Sequence, residues 1–526
     1  MNPPESSSTP ASPAPASQAT KKNLRGSSLL LVGRVIAMAT NFAIQVLIVR
    51  YLSKGEYGAF AYVMSLISLG SSLTVFGMDK TVSRFLPIYQ EKGEHSKLFG
   101  TLIIVFSTVL SLSFFLVLLV FSLKGWIAGS LISDPQAVQL LLLLVFLSPI
   151  QALDSVLVGM LAVFGKPSSI FFRRHILGPG LKLLVVLLLI FLQSDVYFLS
   201  VGYLTTGIIG AAIYIGILIR DLRDQELWKE FNTRTIKFPV KEVFSFSTPL
   251  LTTSFVYVLR SQLVIILLEY FRSTLDVASY RAVQPVADLN TTVIQSFALL
   301  FMPTMARMFA RKDEDGMDSL YWQNAAWIAM ISFPIFLLTF ALAEPLTVLL
   351  FGARYADSGV IMSLLAIGYY FNAALGFNAD TLRIYGRLRY AVTVDVIAMF
   401  VSVGLHLILI PRFGAVGAAI GTCGTLIIYN ILNHLGLKFA TQIRLFPWSY
   451  LRVYASIVVG TILLAVVQTL FSPPIYLGLI LVAFISLVVL LLNRNVLNIE
   501  QTFPELLRIQ FIRFLFAPRR ENKPLV

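Results

Sequence analysis

The first long apolar stretch of the chain, at about residues 26–49, contains three strongly polar side chains. Arg34, Asn41 and Gln45 are spaced so that a helix places all three on one face. A charged side chain in apolar surroundings is costly unless it faces a polar cavity or a partner. A guanidinium is always charged, and its planar donors can hold phosphate oxygens bidentately. The stripe therefore predicts an anion site, and the alternative is an arginine that pairs with a nearby acid or helix end.

A second apolar stretch, at about residues 243–268, carries a similar polar stripe. Tyr257 and Arg260 are three residues apart and share a helix face. We expect Arg260 to supply a second guanidinium to the same anion site, with Tyr257 beside it. Arg50 and Arg272, at the far ends of these two stretches, are candidates for its rim, although snorkelling to a polar surface is the simpler explanation.

Further ionisable side chains interrupt other apolar stretches. Asp288 is the first candidate for coupling to a cation or for balancing a buried arginine, and Gln284 lies one helical turn away on the same face. Asp154 and Asp395 are alternatives for that role. Lys182 either faces a cavity or pairs with Asp154, and the sequence leaves both options open.

The composition places these stretches in a membrane. Of the 526 residues, 57% are hydrophobic and only 13% are charged, and the mean hydropathy is +0.80. Soluble proteins average about 45–50% apolar and about 25% charged residues. The apolar runs are long and unbroken, whereas the strands of a membrane barrel alternate apolar and polar residues. The sequence therefore predicts an all-α, polytopic membrane protein.

Fourteen apolar stretches are long enough to cross a bilayer, which needs about 20 residues. We predict spans at about 26–49, 57–78, 98–122, 137–162, 169–192, 195–219, 243–268, 283–304, 321–343, 357–378, 390–410, 414–437, 448–470 and 475–492. Residues 1–20 have the composition of a disordered tail. Residues 496–526 are predicted to form an amphipathic cytoplasmic segment at the lipid surface.

The distribution of basic residues predicts the orientation. Most of the 41 lysines and arginines lie in segments that are cytoplasmic if both termini are inside, as the positive-inside rule requires. This pattern favours an even number of spans. It also explains the net charge of +14 without a nucleic-acid partner.

The two halves of the chain resemble each other at an offset of about 222 residues, which aligns Tyr57 with Tyr280 and brings Arg260 within one helical turn of Arg34. Parallel repeats place a substrate path between two lobes, near the midplane. We predict a lobe of six helices at 21–219, a cytoplasmic linker at 220–242, a second lobe of six helices at 243–437 and two further helices at 438–495.

Signatures of several other protein classes are absent from the sequence. It has one cysteine, Cys423, and four scattered histidines, which provide no thiolate or HExxH metal site. It contains no GxxxxGK[ST] phosphate-binding loop, so nucleotide hydrolysis by that route is excluded. We expect a protein that is not an enzyme and has no cofactor.

Four short segments resemble polysaccharide repeat-unit flippases of the O-antigen and exopolysaccharide type, within the multidrug/oligosaccharidyl-lipid/polysaccharide exporter superfamily. They are RYLSKGEYGAF (50–60), GMDKTVSRF (77–85), VASYRAVQPV (277–286) and FMPTMARMF (301–309). The resemblance extends over about residues 22–495 and is most specific in the N-terminal third.

The resemblance implies a function for the predicted spans. It implies fourteen helices in two lobes and the export of a polyprenyl-diphosphate-linked oligosaccharide by alternating access across a bacterial inner or archaeal cell membrane. The implied partners are membrane lipids and glycan polymerase or ligase machinery. Three alternatives stay open: a peptidoglycan-precursor (lipid II) flippase, a cation-coupled multidrug exporter and, as an enzyme, a lipid-linked glycan polymerase.

Overall fold

The computed structural model describes residues 15–164, 171–224 and 236–497, and it contains no β-strand in these ranges. In the first half, the helices are α1 (Pro15–Tyr51), α2 (Lys54–Val75), α3 (Met78–Glu91), α4 (His95–Ser122), α5 (Pro135–Leu144), α6 (Leu147–Phe164), α7 (Gly178–Phe191) and α8 (Val196–Asp224). A π-helical stretch, Phe172–Leu177, leads directly into α7. The all-α prediction is confirmed.

The second half is also helical. Its helices are α9 (Val240–Phe271), α10 (Thr274–Ala287), α11 (Leu289–Arg311), α12 (Glu314–Phe340), α13 (Ala343–Phe351), α14 (Ser358–Ala374), α15 (Asn378–Ile384), α16 (Leu388–Ala440), α17 (Leu451–Phe471) and α18 (Ile475–Leu492). Thirteen helical stretches in the described ranges are long and apolar enough to cross a membrane. The protein is therefore a multi-pass membrane protein.

The longest of these stretches, α16, folds back on itself. Gly414 has a non-helical backbone, with φ 56° and ψ −133°. On either side of it, the Tyr390 hydroxyl donates to the Leu432 carbonyl at 2.7 Å, and His406 Nε2 lies 3.3 Å from the Thr422 hydroxyl. These contacts join two antiparallel arms, and each is long enough to span a bilayer at about 1.5 Å per residue. They support separate spans at 390–410 and 414–437, while the count of fourteen stays a prediction.

Some helix boundaries differ from the predicted ones. The predicted span at 137–162 is interrupted at Val145 and Phe146, between α5 and α6, because Pro149 in the first turn of α6 has no N–H to donate to the Val145 carbonyl. Helix α1 begins at Pro15, so the last six residues of the predicted tail are helical. Residues 1–14 of that tail, 225–235 of the predicted linker and 498–526 of the amphipathic segment lie outside the described residues.

Two compact units are formed by contacts within the chain. The first consists of the described parts of Met1–Leu52, Val63–Leu131 and Pro135–Gln262. Its core includes the fully buried side chains of Val156 and Tyr214. Helix α6 packs closely against α3 at Gly159, where a Cβ would lie only 2.8 Å from a backbone carbonyl oxygen. Small residues of this kind drive helix association in lipid, where hydrophobic burial adds little.

The second unit consists of Ser53–Tyr62, Ile132–Asp134 and the described part of Leu263–Val526. Its core includes Trp322, whose indole N–H donates to the Arg444 carbonyl at 3.0 Å. The Arg444 guanidinium donates to the buried Asp318 carboxylate, and these bonds raise the pKa of Arg444. They attach the loop before α17 to the rest of this unit. The predicted lobe boundaries stay a prediction.

Candidate functional site: a cationic cavity in the first unit

A cavity of about 410 Å³ lies within the first unit. Helices α1, α2, α6, α7 and α8 and the π-helical stretch surround it, and its walls carry amide, hydroxyl and charged side chains. The polar lining residues are Asn41, Ser71, Gln151, Asp154, Ser155, Arg173, Arg174, Lys182, Tyr203 and Thr206. Such convergent polar groups in a membrane-spanning bundle are the usual mark of a substrate or ion pathway.

Arg173 is held firmly in the wall of this cavity. Its Nη2 donates to Asp154 Oδ1 at 2.7 Å, and its Nε donates to the Gly210 carbonyl at 3.2 Å. The guanidinium lies 4.7 Å from the ring centroid of Tyr214. A Cβ at position 210 would come within 2.1 Å of Arg173 Nη2, so glycine is required for this approach. The Arg173–Asp154 pair is thus a fixed part of the site.

Lys182 has a different environment. Its Nζ lies 5.2 Å from the ring centroid of Tyr203, and among the described residues it forms no ion pair with a carboxylate. Of the two options that the sequence left open, the pair with Asp154 is not formed, because Asp154 pairs with Arg173. Lys182 instead lines the cavity.

The charges around the cavity favour an anion. Arg173, Arg174 and Lys182 oppose a single carboxylate, Asp154, so the ionisable lining has a net positive charge. Charges act more strongly in a medium of low dielectric constant than in water. A phosphate-bearing group would be attracted here, whereas an organic cation would be repelled.

The predicted stripe on α1 borders this region. Asn41 lines the cavity, and its Nδ2 donates to the Ala37 carbonyl at 2.7 Å. Arg34 is exposed, and it follows Gly33, where a Cβ would lie 2.6 Å from the ring of Phe171. Arg34 and Gln45 are not part of the cavity lining, and Gln45 is half-buried.

The predicted stripe on α9 also lies away from the cavity lining. The Tyr257 side chain is 75% exposed, and Arg260 is half-buried. That Arg34 and Arg260 bind the same anion therefore stays a prediction.

In the second unit, two of the predicted residues form local contacts. Asp288 accepts a hydrogen bond from the Thr291 hydroxyl at the start of α11. The Gln284 side-chain oxygen accepts from Arg281 Nη1 at 2.7 Å. The predicted role of Asp288 in ion coupling stays a prediction.

The remaining predicted residues lie at helix ends or on exposed faces. Arg272 Nη2 donates to the Arg412 carbonyl at 2.9 Å, at the end of the first arm of α16. Asp395 Oδ2 lies 3.4 Å from Arg383 Nη2. Arg50 is exposed near the end of α1. None of these three lines the cavity.

In the sequence, Arg173 and Arg174 are consistent with a basic loop that either meets lipid headgroups or simply follows the positive-inside rule, and neither is a predicted site residue. The structure instead places both in the cavity lining. A signal was available, because both arginines fall inside the predicted span at 169–192. Two adjacent charges at that depth need a polar environment.

An apolar groove of about 350 Å³ lies in the second unit, beside α12, α14 and α17. Its lining is almost entirely apolar and includes Phe336, Tyr370 and Ile457. The Tyr370 hydroxyl is turned inward and donates to the Ala329 carbonyl at 3.0 Å. The groove therefore offers hydrocarbon surface to a ligand or lipid chain.

Two curated proteins with recognisable similarity cover most of the chain. An uncharacterized membrane protein of Methanocaldococcus jannaschii is 21% identical over 418 residues, which are 76% of this chain and 81% of that protein. Stage V sporulation protein B of Bacillus subtilis is 22% identical over 468 residues, 83% of this chain and 87% of that protein.

Two solved structures share the fold. The lipid II flippase MurJ in an inward closed conformation superimposes with a TM-score of 0.69 at 14% identity, covering 89% of this chain and 99% of MurJ. An inward-facing multidrug resistance MATE family transporter of the MOP superfamily superimposes with a TM-score of 0.60 at 14% identity, covering 78% of this chain and 97% of that transporter.

The sequence also matches a protein family over residues 47–360, which is more than half of the chain. The description of that family is "polysaccharide biosynthesis protein". With the fold of the flippase and exporter structures and a polar cavity among its membrane helices, the chain belongs to this family of polysaccharide biosynthesis proteins.

Proposed function

We propose that this protein moves polyprenyl-diphosphate-linked oligosaccharide repeat units from the cytoplasmic to the outer leaflet of a plasma membrane, for surface polysaccharide assembly. The family match and the transporter fold support a carrier of lipid-linked substrates. The observation that carries the proposal is the net positive cavity among the membrane helices, because the diphosphate is the one invariant charged part of such a substrate.

In this mechanism the basic residues act on the diphosphate. Arg174 and Lys182 attract it to the cavity wall. Arg34 and Arg260, which lie outside the cavity lining, are the predicted groups that hold its oxygens. Arg173 already forms an ion pair with Asp154, so its role is to hold the helices of the cavity wall together. Guanidinium and ammonium groups bind phosphate oxygens through short, charge-assisted hydrogen bonds. The sugars occupy polar space, while the prenyl chain stays in lipid.

The membrane potential supplies direction. Moving an anion outward from a negative interior releases about 2.3 kcal/mol per charge per 100 mV for a full crossing. The orientation needed is the predicted one, with both termini in the cytoplasm. A coupled counter-ion would add to this driving force or return the empty carrier.

The test removes the two arginines that are predicted to hold the diphosphate headgroup. Arg34→Ala, Arg260→Ala and the double variant are expressed in the host lacking the native gene, with the exposed Lys80→Ala as a control. We expect the double variant to lose surface polysaccharide about tenfold or more and to accumulate lipid-linked sugars, measured by mass spectrometry. Undiminished polysaccharide at normal protein abundance would remove the headgroup role.

A lipid II flippase is the second candidate, because MurJ shares the fold over 89% of this chain. Complementation of a strain that lacks its lipid II flippase separates the two candidates, since only a lipid II carrier restores growth. A multidrug exporter of organic cations is disfavoured by the positive cavity. A glycan polymerase would transfer sugars as a purified protein, which we do not expect here.

A further inference from the structure

A carboxyl group near the C-terminal end of α9 is buried without a balancing charge. Glu269 is only 1% exposed, and its Oε1 accepts a hydrogen bond from the Ser133 backbone N–H at 3.0 Å. Its Oε2 is also buried, and no hydrogen bond reaches it from the described residues. The carboxyl group thus has one satisfied and one unsatisfied oxygen.

The groups that face Glu269 make the charge imbalance larger. The carboxylate of Asp134 lies close enough to repel a negative charge on Glu269, although the Asp134 backbone N–H donates to the Glu269 carboxyl group. The Asp134 Oδ2 accepts a hydrogen bond from the Thr274 hydroxyl at 2.9 Å. The phenol of Tyr62, also 1% exposed, is another titratable group beside Glu269. The nearest arginine in sequence, Arg272, donates to backbone carbonyls of α16 instead.

No cation among the described residues forms an ion pair with Glu269. An isolated ionised carboxylate in a protein interior costs several kcal/mol. Groups in that position either become neutral or bind a compensating cation. A multivalent metal site is disfavoured, because the described residues contain no group of three or more Asp, Glu, His or Cys side chains that could hold one.

We propose that the Glu269 carboxyl group binds a monovalent cation, either a proton or a sodium ion. The bound cation stabilises the contact of segment 132–134 with the turn between α9 and α10. The cation neutralises Glu269 and removes its repulsion with Asp134. Two hydrogen bonds then stabilise the contact: the Ser133 backbone N–H donates to Glu269, and the Thr274 hydroxyl donates to Asp134. When the cation leaves, the two carboxylates repel each other, and the segment loosens. This site is separate from the cationic cavity and does not depend on the nature of the transported substrate.

The experiment measures hydrogen exchange of the full-length protein in lipid nanodiscs. Peptides covering residues 132–134 are followed between pH 5.5 and 8.5, corrected for intrinsic exchange, with either sodium or N-methyl-D-glucamine as the only cation. If the ligand is a proton, we expect exchange in the wild type to become about tenfold faster across that range in both salts. If the ligand is sodium, we expect about tenfold protection by sodium at high pH.

Two variants identify the carboxyl responsible. Glu269→Gln removes the charge and keeps the shape, so its exchange is expected to be insensitive to both pH and sodium. Glu91→Gln, at an exposed position, is expected to behave as the wild type. If Glu269→Gln does not fold, the wild-type measurement is a sufficient test. Wild-type exchange at 132–134 that depends on neither pH nor sodium would overturn the proposal. Equal responses in the wild type and Glu269→Gln would also overturn it.

Discussion

Arg173 donates to Asp154 at 2.7 Å in the wall of the cavity of the first unit, and the side chains are only 12% and 33% exposed. The pair joins the π-helical stretch before α7 to α6. Because the arginine also donates to the Gly210 carbonyl, three helical segments meet at one guanidinium. The cavity wall therefore depends on this pair for its shape as well as its charge.

Removing one member of this pair should destabilise the protein. Asp154→Ala leaves the largely buried Arg173 without its carboxylate, and we expect a loss of about 1–3 kcal/mol. Arg173→Met with Asp154→Ala should lose less than the sum of the single changes, since no charge is then stranded. Thermal unfolding in detergent measures both. Glu94→Ala, in the more exposed pair with Lys97, serves as the control. Strictly additive losses of stability in the Arg173→Met and Asp154→Ala variants would contradict the prediction.

Lys182 should matter for transport more than for stability. Lys182→Ala removes a cavity charge that has no carboxylate partner in the described residues, and we expect flux to fall about tenfold, the equivalent of about 1.4 kcal/mol. Lys182→Arg keeps the charge and should retain most activity. Surface polysaccharide per molecule of protein is the readout. A Lys182→Ala variant with full flux would show that the cavity charge is dispensable.

The reversal of α16 should tolerate no side chain at its centre. At Gly414, with φ +56°, an added Cβ would lie 2.5 Å from Asp276 Oδ1. Gly414→Ala is therefore expected to cost about 1–3 kcal/mol through backbone strain and this clash. Gly404→Ala is the matched control in the same helix, because a Cβ there meets nothing within 4 Å. It should leave the melting temperature unchanged or raise it, and equal effects at both positions would contradict the strain.

A second pair of glycines separates close packing from helix propensity at the start of α2. A Cβ at Gly58 would lie 1.8 Å from the Thr274 carbonyl oxygen, whereas a Cβ at Gly55 would meet nothing within 4 Å. Gly58→Ala must push the two segments apart, so we expect a loss of about 1–3 kcal/mol or more. Gly55→Ala should be neutral. Thermal unfolding of both variants is the measurement, and a stable Gly58→Ala protein would argue against this contact.

Much of the architecture could be predicted from the sequence, because long apolar runs leave helices as the main solution in lipid. The predicted break between spans at 410 and 414 corresponds to the reversal at Gly414, since Pro411 and Gly414 interrupt the apolar run. The division of the predicted fourth span just before Pro149, at Val145 and Phe146, is not predicted. A proline within a membrane helix can kink it or end it, and the local sequence does not distinguish these outcomes.

The partners within the cavity could not be predicted in the same way. The sequence left open whether Lys182 pairs with Asp154 or faces a cavity, and it provided no reason to expect that Arg173 is the partner of Asp154. The π-helical turns from Phe172 to Leu177 change the angular phase of the side chains relative to an α-helix, so a helical wheel misplaces Arg173. Glu269 and Ser133 are 136 residues apart, and no local pattern reveals contacts between such distant positions.

The reversal at Gly414 also has a mechanical consequence. Two membrane-spanning arms meet at this tight turn, and hydrogen bonds link them from Tyr390–Leu432 to His406–Thr422. We therefore expect the two arms to tilt together as one rigid unit. A pair of spectroscopic labels with one on each arm would keep a constant separation throughout the transport cycle. Such a pair provides an internal ruler against which larger rearrangements elsewhere in the chain can be calibrated.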